Sequence, residues 1–528
     1  MFALSALAVL MGCSSTNKAT PPPTGGFSNT DLSGTYVFST SGSDASGNFL
    51  TMVGTFTACG CTGGTISAGV VDMNDPAFTA TVVQLAITGG SYAVGVDGRG
   101  KASLSATTPF GSSITLDFVL SSGQHALVTE FDGNGSGSGT LDLQSSPAQT
   151  AGTYVFNLAG ISGVSVTTGA GIPLATVGSI TLDASGNATG VQDLNNNSAY
   201  SALTIASPSV VTVGTSPTAA ALVTSGGTFN FDVYAIDSTH FKLIETDAAP
   251  ILVGDVFSQG SASFPSGELA FTMAGVDLAA GPGPLAVGGM MNSNGSSTLS
   301  NGVEDFNDAG VSNITSTSTT PLAFTAGISL SGTGRYLVTF NIGFENGNNG
   351  NTTVPYTFAA YPSTGGTQLL EIDGLGITGG AAYPQTSTSF ASGQGYGLNL
   401  TGSNSTSEED DIAEFTNTNN ALKGLIDMND AGGTQPPQNF TGTYAADSTN
   451  AGRALITSSA FNLTSYTLDG TNSIFIEYDN NQVGLGSIGQ QASAAQGAIA
   501  SRLAVLRPRS TPRGASWKRK QAADDRSR

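Results

Sequence analysis

Four times along the chain an apolar run ends in a glutamate followed two residues later by an aspartate: HALVTEFD, HFKLIETD, TQLLEID and NSIFIEYD. They pair Glu130 with Asp132, Glu245 with Asp247, Glu371 with Asp373, and Glu477 with Asp479. Paired carboxylates hydrolyse glycosides when they flank a cleft about 5–9.5 Å apart. Here each pair lies on one strand face with no cleft in the pattern, and four copies of one active site in a chain would be odd. A second reading is structural. Val128, Leu243, Leu369 and Phe475 stand two residues before the glutamates, on the same strand face. A carboxylate beside such side chains needs a partner or takes up a proton. Arginine is the expected partner, because Gly98-Arg99, Gly334-Arg335 and Gly452-Arg453 recur at one repeat position. Bidentate pairs at the barrel mouths, joining these arginines to Glu130/Asp132, Glu371/Asp373 and Glu477/Asp479, would fix strand register. The second copy keeps Glu245 without the arginine, and Lys242 is its substitute.

Other chemistry fares less well. His125 and His240 are the only histidines, each five residues before the repeat glutamate, where the other copies have Gly366 and Asn472. A position that accepts His, Gly or Asn reads as a turn, not a general base. Asp132, Asn134, Ser136 and Gly137 imitate the first half of a calcium loop, but Leu143 stands where such a loop needs a bidentate acid. GVVDMND, with Asp72, Asn74 and Asp75, returns as GVQDLNN, GVEDFND and GLIDMND. These side chains offer oxygens to a structural calcium ion, or else build Asx turns. No cofactor is expected, with calcium the open alternative. Cys59 and Cys61, in ACGC, are expected as a turn-borne disulfide or two inert thiols, since zinc normally takes four ligands.

The elements that carry these residues repeat with them. Each copy opens on a glycine-led strand (SGTYVF, AGTYVF, SGELAF, SGQGYGLNL), passes through the GVxDxN motif and ends after E-x-D. The boundaries are 1–12 for a signal peptide, 13–30 for a polar tether, 31–144, 149–260, 264–385 and 389–491 for four units, and 497–528 for a basic, disordered tail. Units of this length are domains, not solenoid repeats or propeller blades. Ile114, Leu116, Phe118 and Leu120 alternate with Thr115, Asp117 and Val119, and turn residues recur along every unit, giving about eight strands in a meander. An antiparallel meander without helices closes into a barrel or stacks into a sandwich to cover its edges. The expected fold is all-β, four tandem up-and-down β-barrels, with a β-sandwich as the alternative.

Charge and leader place the chain. Nine of the 16 basic residues lie between Arg502 and Arg528, leaving seven bases against 35 acids in the first 501 positions. Such a body repels nucleic acid and anionic lipid. The run Phe2 to Met11 is too short to span a bilayer and fits a signal peptide. Leu10-Met11-Gly12-Cys13 resembles the bacterial lipobox, which implies export, lipidation of Cys13 and anchoring in a membrane. Ser14 is not the aspartate associated with inner-membrane retention, so the expectation is the outer membrane or cell surface. Together with GTYVF, GVxDxN, GRG and ALVTEFDGNGSGSG, the lipobox resembles exported, uncharacterised lipoproteins of acidobacterial type with tandem β-rich repeats. That resemblance implies export and tandem β-units, and no activity. Three functions remain: non-catalytic binding, adhesion or display at the envelope; carriage of small apolar ligands inside the barrels; and, weakest, action on surface polysaccharide.

Overall fold

The structure is a computed structural model describing residues 26–78, 82–165, 171–212, 214–278, 283–315, 317–342, 354–404 and 407–492. Cys13 and the basic tail lie outside those residues, as does most of the tether. Among the described residues the only helix is one 3-10 turn, Asn29–Asp31.

The first unit shows the plan of all four. Its strands are Ser33–Asp44, Phe49–Cys59, Thr65–Asn74, Val82–Ile87 continued by Gly89–Val94, Arg99–Thr108, Gly111–Ser122, His125–Glu130 and Gly135–Leu143. Each pairs antiparallel with the next, and the eighth returns to the first, with Tyr36 opposite Leu143 and Asp44 opposite Gly135. The sheet is therefore a closed, eight-stranded up-and-down barrel, and the sandwich alternative is excluded. Units 152–258, 266–384 and 394–490 repeat this order.

The period of two fills the barrels. In the first, Tyr36, Phe38, Phe56, Leu116, Phe118 and Val128 point inward and pack as one core. The other barrels are filled by equivalent aromatic and aliphatic side chains. The tyrosine of GTYVF also ties the barrel end. Tyr36 Oη donates to Gly123 O at 2.6 Å, and Tyr154 Oη to Ser238 O at 3.0 Å, both in the turn between sixth and seventh strands.

Barrel packing alone leaves one pattern unexplained. All four seventh strands, His125–Glu130, His240–Glu245, Gly366–Glu371 and Asn472–Glu477, are buried on both faces. Their outer faces are covered by a neighbouring barrel. Strands from the first three of each unit lie against strands from the sixth to eighth of the next, and those of the fourth unit lie against the first. A head-to-tail interface that closes after four copies makes a ring. Apolar clusters seal it: Val37 and Val53 on Tyr234, Ile236, Ile244 and Val253; Val155, Ala175 and Val177 on Ala359, Tyr361, Leu370 and Ile377; Ile412 on Val119 and Leu127.

Candidate functional site

The E-x-D acids end the seventh strands and sit inside the barrels. Glu130 and Glu477 are buried, and burial followed by the neighbouring Asp132 or Asp479 pushes each carboxyl well above its usual value. Glu245 is pushed to about 9, again chiefly by burial. In these three units the aspartate two residues on adds to that rise and accepts hydrogen bonds of its own. Asp132, for example, accepts from Thr115 N at 3.1 Å and from Asn134 N at 3.0 Å. Asp373 likewise accepts from Thr357 N and Leu375 N. Glu371 is equally buried in the third barrel. The expected arginine pairs with E-x-D do not form, because Arg99, Arg335 and Arg453 are held by other aspartates.

The arginines point out of their own barrels to the aspartate of GVxDxN in the preceding unit of the ring. Arg335 grips Asp193 through Nε at 2.7 Å and Nη2 at 2.8 Å. Arg453 grips Asp305 at the same two distances and adds Asp447 at 2.8 Å. Arg99 reaches Asp427 at 2.8 Å and Asp97 at 3.1 Å. A tyrosine from the sixth strand joins two of these knots: Tyr361 Oη donates to Asp193 at 2.5 Å, and Tyr466 Oη to Asp305 at 2.6 Å. Burial works against the Arg453 charge, but the Asp305 carboxylate outweighs it and raises the arginine's pKa.

Two residues beyond each aspartate, the motif asparagine docks on the next unit's E-x-D backbone. Asn74 Nδ2 donates to Glu245 O and Asp247 O, both at 2.9 Å. Asn195 donates to Glu371 O at 2.8 Å and Gly376 O at 2.9 Å. Asn307 donates to Glu477 O, Asp479 O and Gln482 O at 2.8–3.0 Å. Asn429 closes the ring on Glu130 O at 2.7 Å and Gly135 O at 2.8 Å. The two recurring motifs are halves of one joint. Of the residues that resembled calcium ligands, Asp72, Asn74 and Ser136 make inter-barrel contacts, whereas Asp75 and Asp132 accept from backbone N–H groups of their own unit. Among the described residues no group of three or more acids, histidines or cysteines is arranged to hold a metal.

A glutamine after the eighth strand completes the joint, and sequence reading missed it. Gln144 Nε2 donates to Ala235 O, and Gln385 Nε2 to Thr467 O, each at 2.6 Å. Gln491 Nε2 donates to Asp97 O at 2.6 Å. The glycine before each arginine makes room for it. Gly98, Gly334 and Gly452 have φ of 81°, 68° and 96°, and a Cβ there would collide with Gln491, Gln259 and Gln385 respectively.

The joint between units one and two differs. Pro217 stands where the other receiving units have arginine, since Arg453 pairs with Tyr466 and Arg99 with Val119, while Thr218 pairs with Val233, one step before Tyr234. Asp72 accepts from Tyr234 Oη at 2.6 Å and from Gln84 N. Burial, with Asp232 beside it, pushes Asp72 to about 7 despite those donors. Nearby, His125 Nδ1 lies 2.7 Å from Asp142, His240 Nε2 lies 2.7 Å from Asp255, and Lys242 Nζ lies 2.9 Å from Asp255 and 4.0 Å from Asp142. Burial opposes charge on Asp255, but Lys242 and His240 hold its carboxyl down at about 2. The histidines are thus buried strand residues, not turn residues, and Lys242 serves Asp255, not Glu245. A cavity of about 120 Å³ lies where all four units meet, with Lys242, Asp255, Asn157 and Asn399 in its wall. Cys59 and Cys61 form a disulfide.

No family model and no curated protein matches the chain. Among solved structures it is similar to a double mutant of the vaccine antigen Transferrin Binding Protein B from Haemophilus parasuis Hp5, at 12% identity and a TM-score of 0.19, covering 70% of this chain and 83% of that one. At that TM-score the likeness carries no argument.

Proposed function

We propose that the chain is an exported, non-catalytic envelope protein, anchored through lipid on Cys13 in the outer membrane or at the cell surface, whose ring of barrels serves binding, adhesion or display. One observation carries this reading: the recurring arginines and GVxDxN aspartates, among the residues best suited to chemistry, hold barrels to one another, and the E-x-D glutamates are buried within the barrels. The carrier reading is disfavoured by barrels filled with their own aromatic side chains. The protein's tandem β-units match what the lipoprotein resemblance implies.

The test has two parts. Expressed in a bacterium fed labelled fatty acid, the wild type should carry label and sediment with membranes, and Cys13→Ser should do neither. An unlabelled, soluble wild type would remove the anchor. The purified protein should leave a panel of envelope polysaccharides and chromogenic glycosides intact; turnover lost in Glu130→Gln or Glu477→Gln would replace display with catalysis.

A further inference from the structure

Internal symmetry makes the first joint a comparison with three controls. At the other three, the buried motif aspartate meets a guanidinium from the next unit. At the first, Asp72 is wholly buried and Asp232 nearly so, and among the described residues neither is in an ion pair. Lys242, the single lysine or arginine between 149 and 260, is held by Asp255. Gln84 supplies neutral donors in the cation's stead, its backbone N–H to Asp72 and its amide to Asp232 at 3.2 Å. Two carboxyls, a tyrosine hydroxyl and an amide converge where a planar cation binds three times elsewhere in the same molecule.

We propose that Asp72, Asp232, Tyr234 and Gln84 form a binding site for a guanidinium or primary ammonium group, which takes the place that an arginine of the chain takes at the other joints. Gln84 is exposed, so approach is from its side. The chemistry matches: the two oxygens of one carboxylate accept in-plane N–H donors in a fork, as Asp193 does from Arg335 and Asp305 from Arg453. Burial and the adjacent Asp232 raise Asp72 to about 7, as expected of an acid lacking its counter-charge. This site is independent of the display role. The cation is a free small molecule or a side chain of a partner protein.

Thermal unfolding of the full chain at about pH 8.5, where Asp72 has lost its proton, separates these. Guanidinium at about 10 mM should raise Tm by about 2 °C over sodium chloride at equal ionic strength. Asp232→Asn should lose the response. Pro217→Arg, which supplies the cation from within, should lose it too, so that a failure of either variant to fold leaves the other as control. Acetyl-arginine amide tests the source. A response to it as well as to guanidinium assigns the site to a partner's side chain, and a response to guanidinium alone assigns it to a free cation. No shift over sodium in the wild type, or equal shifts in wild type and both variants, would overturn the proposal.

Discussion

Replacing Arg453 by methionine tests the joint where it is most buried. The arginine is 2% exposed, and the change removes its bonds to Asp305, Asp447 and Thr319 O. Asp305 would keep Tyr466 Oη at 2.6 Å and Asn313 Nδ2 at 2.9 Å. That is close to the natural state of Asp72, which has a tyrosine and one further donor, no arginine, and a carboxyl raised from 3.8 to about 7. Breaking a buried ion pair from one side leaves an uncompensated buried charge and costs about 3–5 kcal/mol, which is the loss expected at neutral pH. The sign follows: a raised acid keeps its proton in the folded form, so the loss is full above about pH 7 and shrinks toward pH 4. Urea unfolding followed by circular dichroism at both pH values measures it, since the single tryptophan, Trp517, lies in the tail. Arg453→Met with Asp305→Asn should recover most of the loss. A loss under about 1 kcal/mol at neutral pH, or one independent of pH, would refute the reasoning.

The wild type should itself be most stable in mild acid. Asp72 at about 7 and Glu245 and Glu414 at about 9 take stability away as pH rises from about 4, while Asp255, held at about 2, and Asp142, lower still, take it away below about 4. The urea midpoint should therefore peak near about pH 4–5, and a midpoint climbing from about 5 to 8 would contradict this. Asn429→Ala removes two bonds across the one joint without a covalent linker, and should cost about 1–3 kcal/mol and enlarge the radius of gyration in X-ray scattering. Gly452→Ala, at φ 96° against Gln385, should cost at least about 1–2 kcal/mol in the same urea assay, whereas Gly470→Ala, with open space around it, should cost less.

The barrels were legible and their arrangement was not. Alternation in Ile114 to Leu120 placed a strand, and the turns after it fell where expected, with Gly111–Ser122 leading into His125–Glu130. The unit count came from repetition. Repetition, however, says nothing about whether two motifs meet within a copy or between neighbours, because either pairing recurs four times. The sequence therefore offers Arg99, Arg335 and Arg453 their own E-x-D as readily as a neighbour's aspartate. Two signals pointed outward. The seventh strands read as continuous apolar runs, as in HALV and SIFI, which marks strands buried on both faces. By contrast Arg99–Thr108 alternates in exposure as a strand with one wet face does. The second signal was the arginine missing from unit two. Its unpaired partner is Asp72 in unit one, a displacement by one copy that head-to-tail contact between neighbouring units explains.

The joints are not equal, and unit one has the weaker share of two. At its joint with unit two no arginine meets Asp72. At its joint with unit four, Val119 replaces the tyrosine, the apolar cluster shrinks to Val119, Leu127 and Ile412, and Glu414 is buried with its carboxyl pushed to about 9. The third and fourth units, by contrast, meet through Tyr466 and Arg453 with two apolar clusters behind them. Linkers keep unit four near unit one, so a weak fourth joint still closes at high effective concentration. A ring built this way opens first around unit one. Hydrogen exchange should show amides of Phe49–Cys59, Gly111–Ser122 and His125–Glu130 exchanging sooner than their counterparts Gly283–Asn294, Asn462–Thr467 and Asn472–Glu477. The contrast should sharpen above about pH 7, where Asp72 ionises. Equal protection across the four units would mean that the Asp142–Lys242 contact and the histidine pairs fully replace the missing arginine.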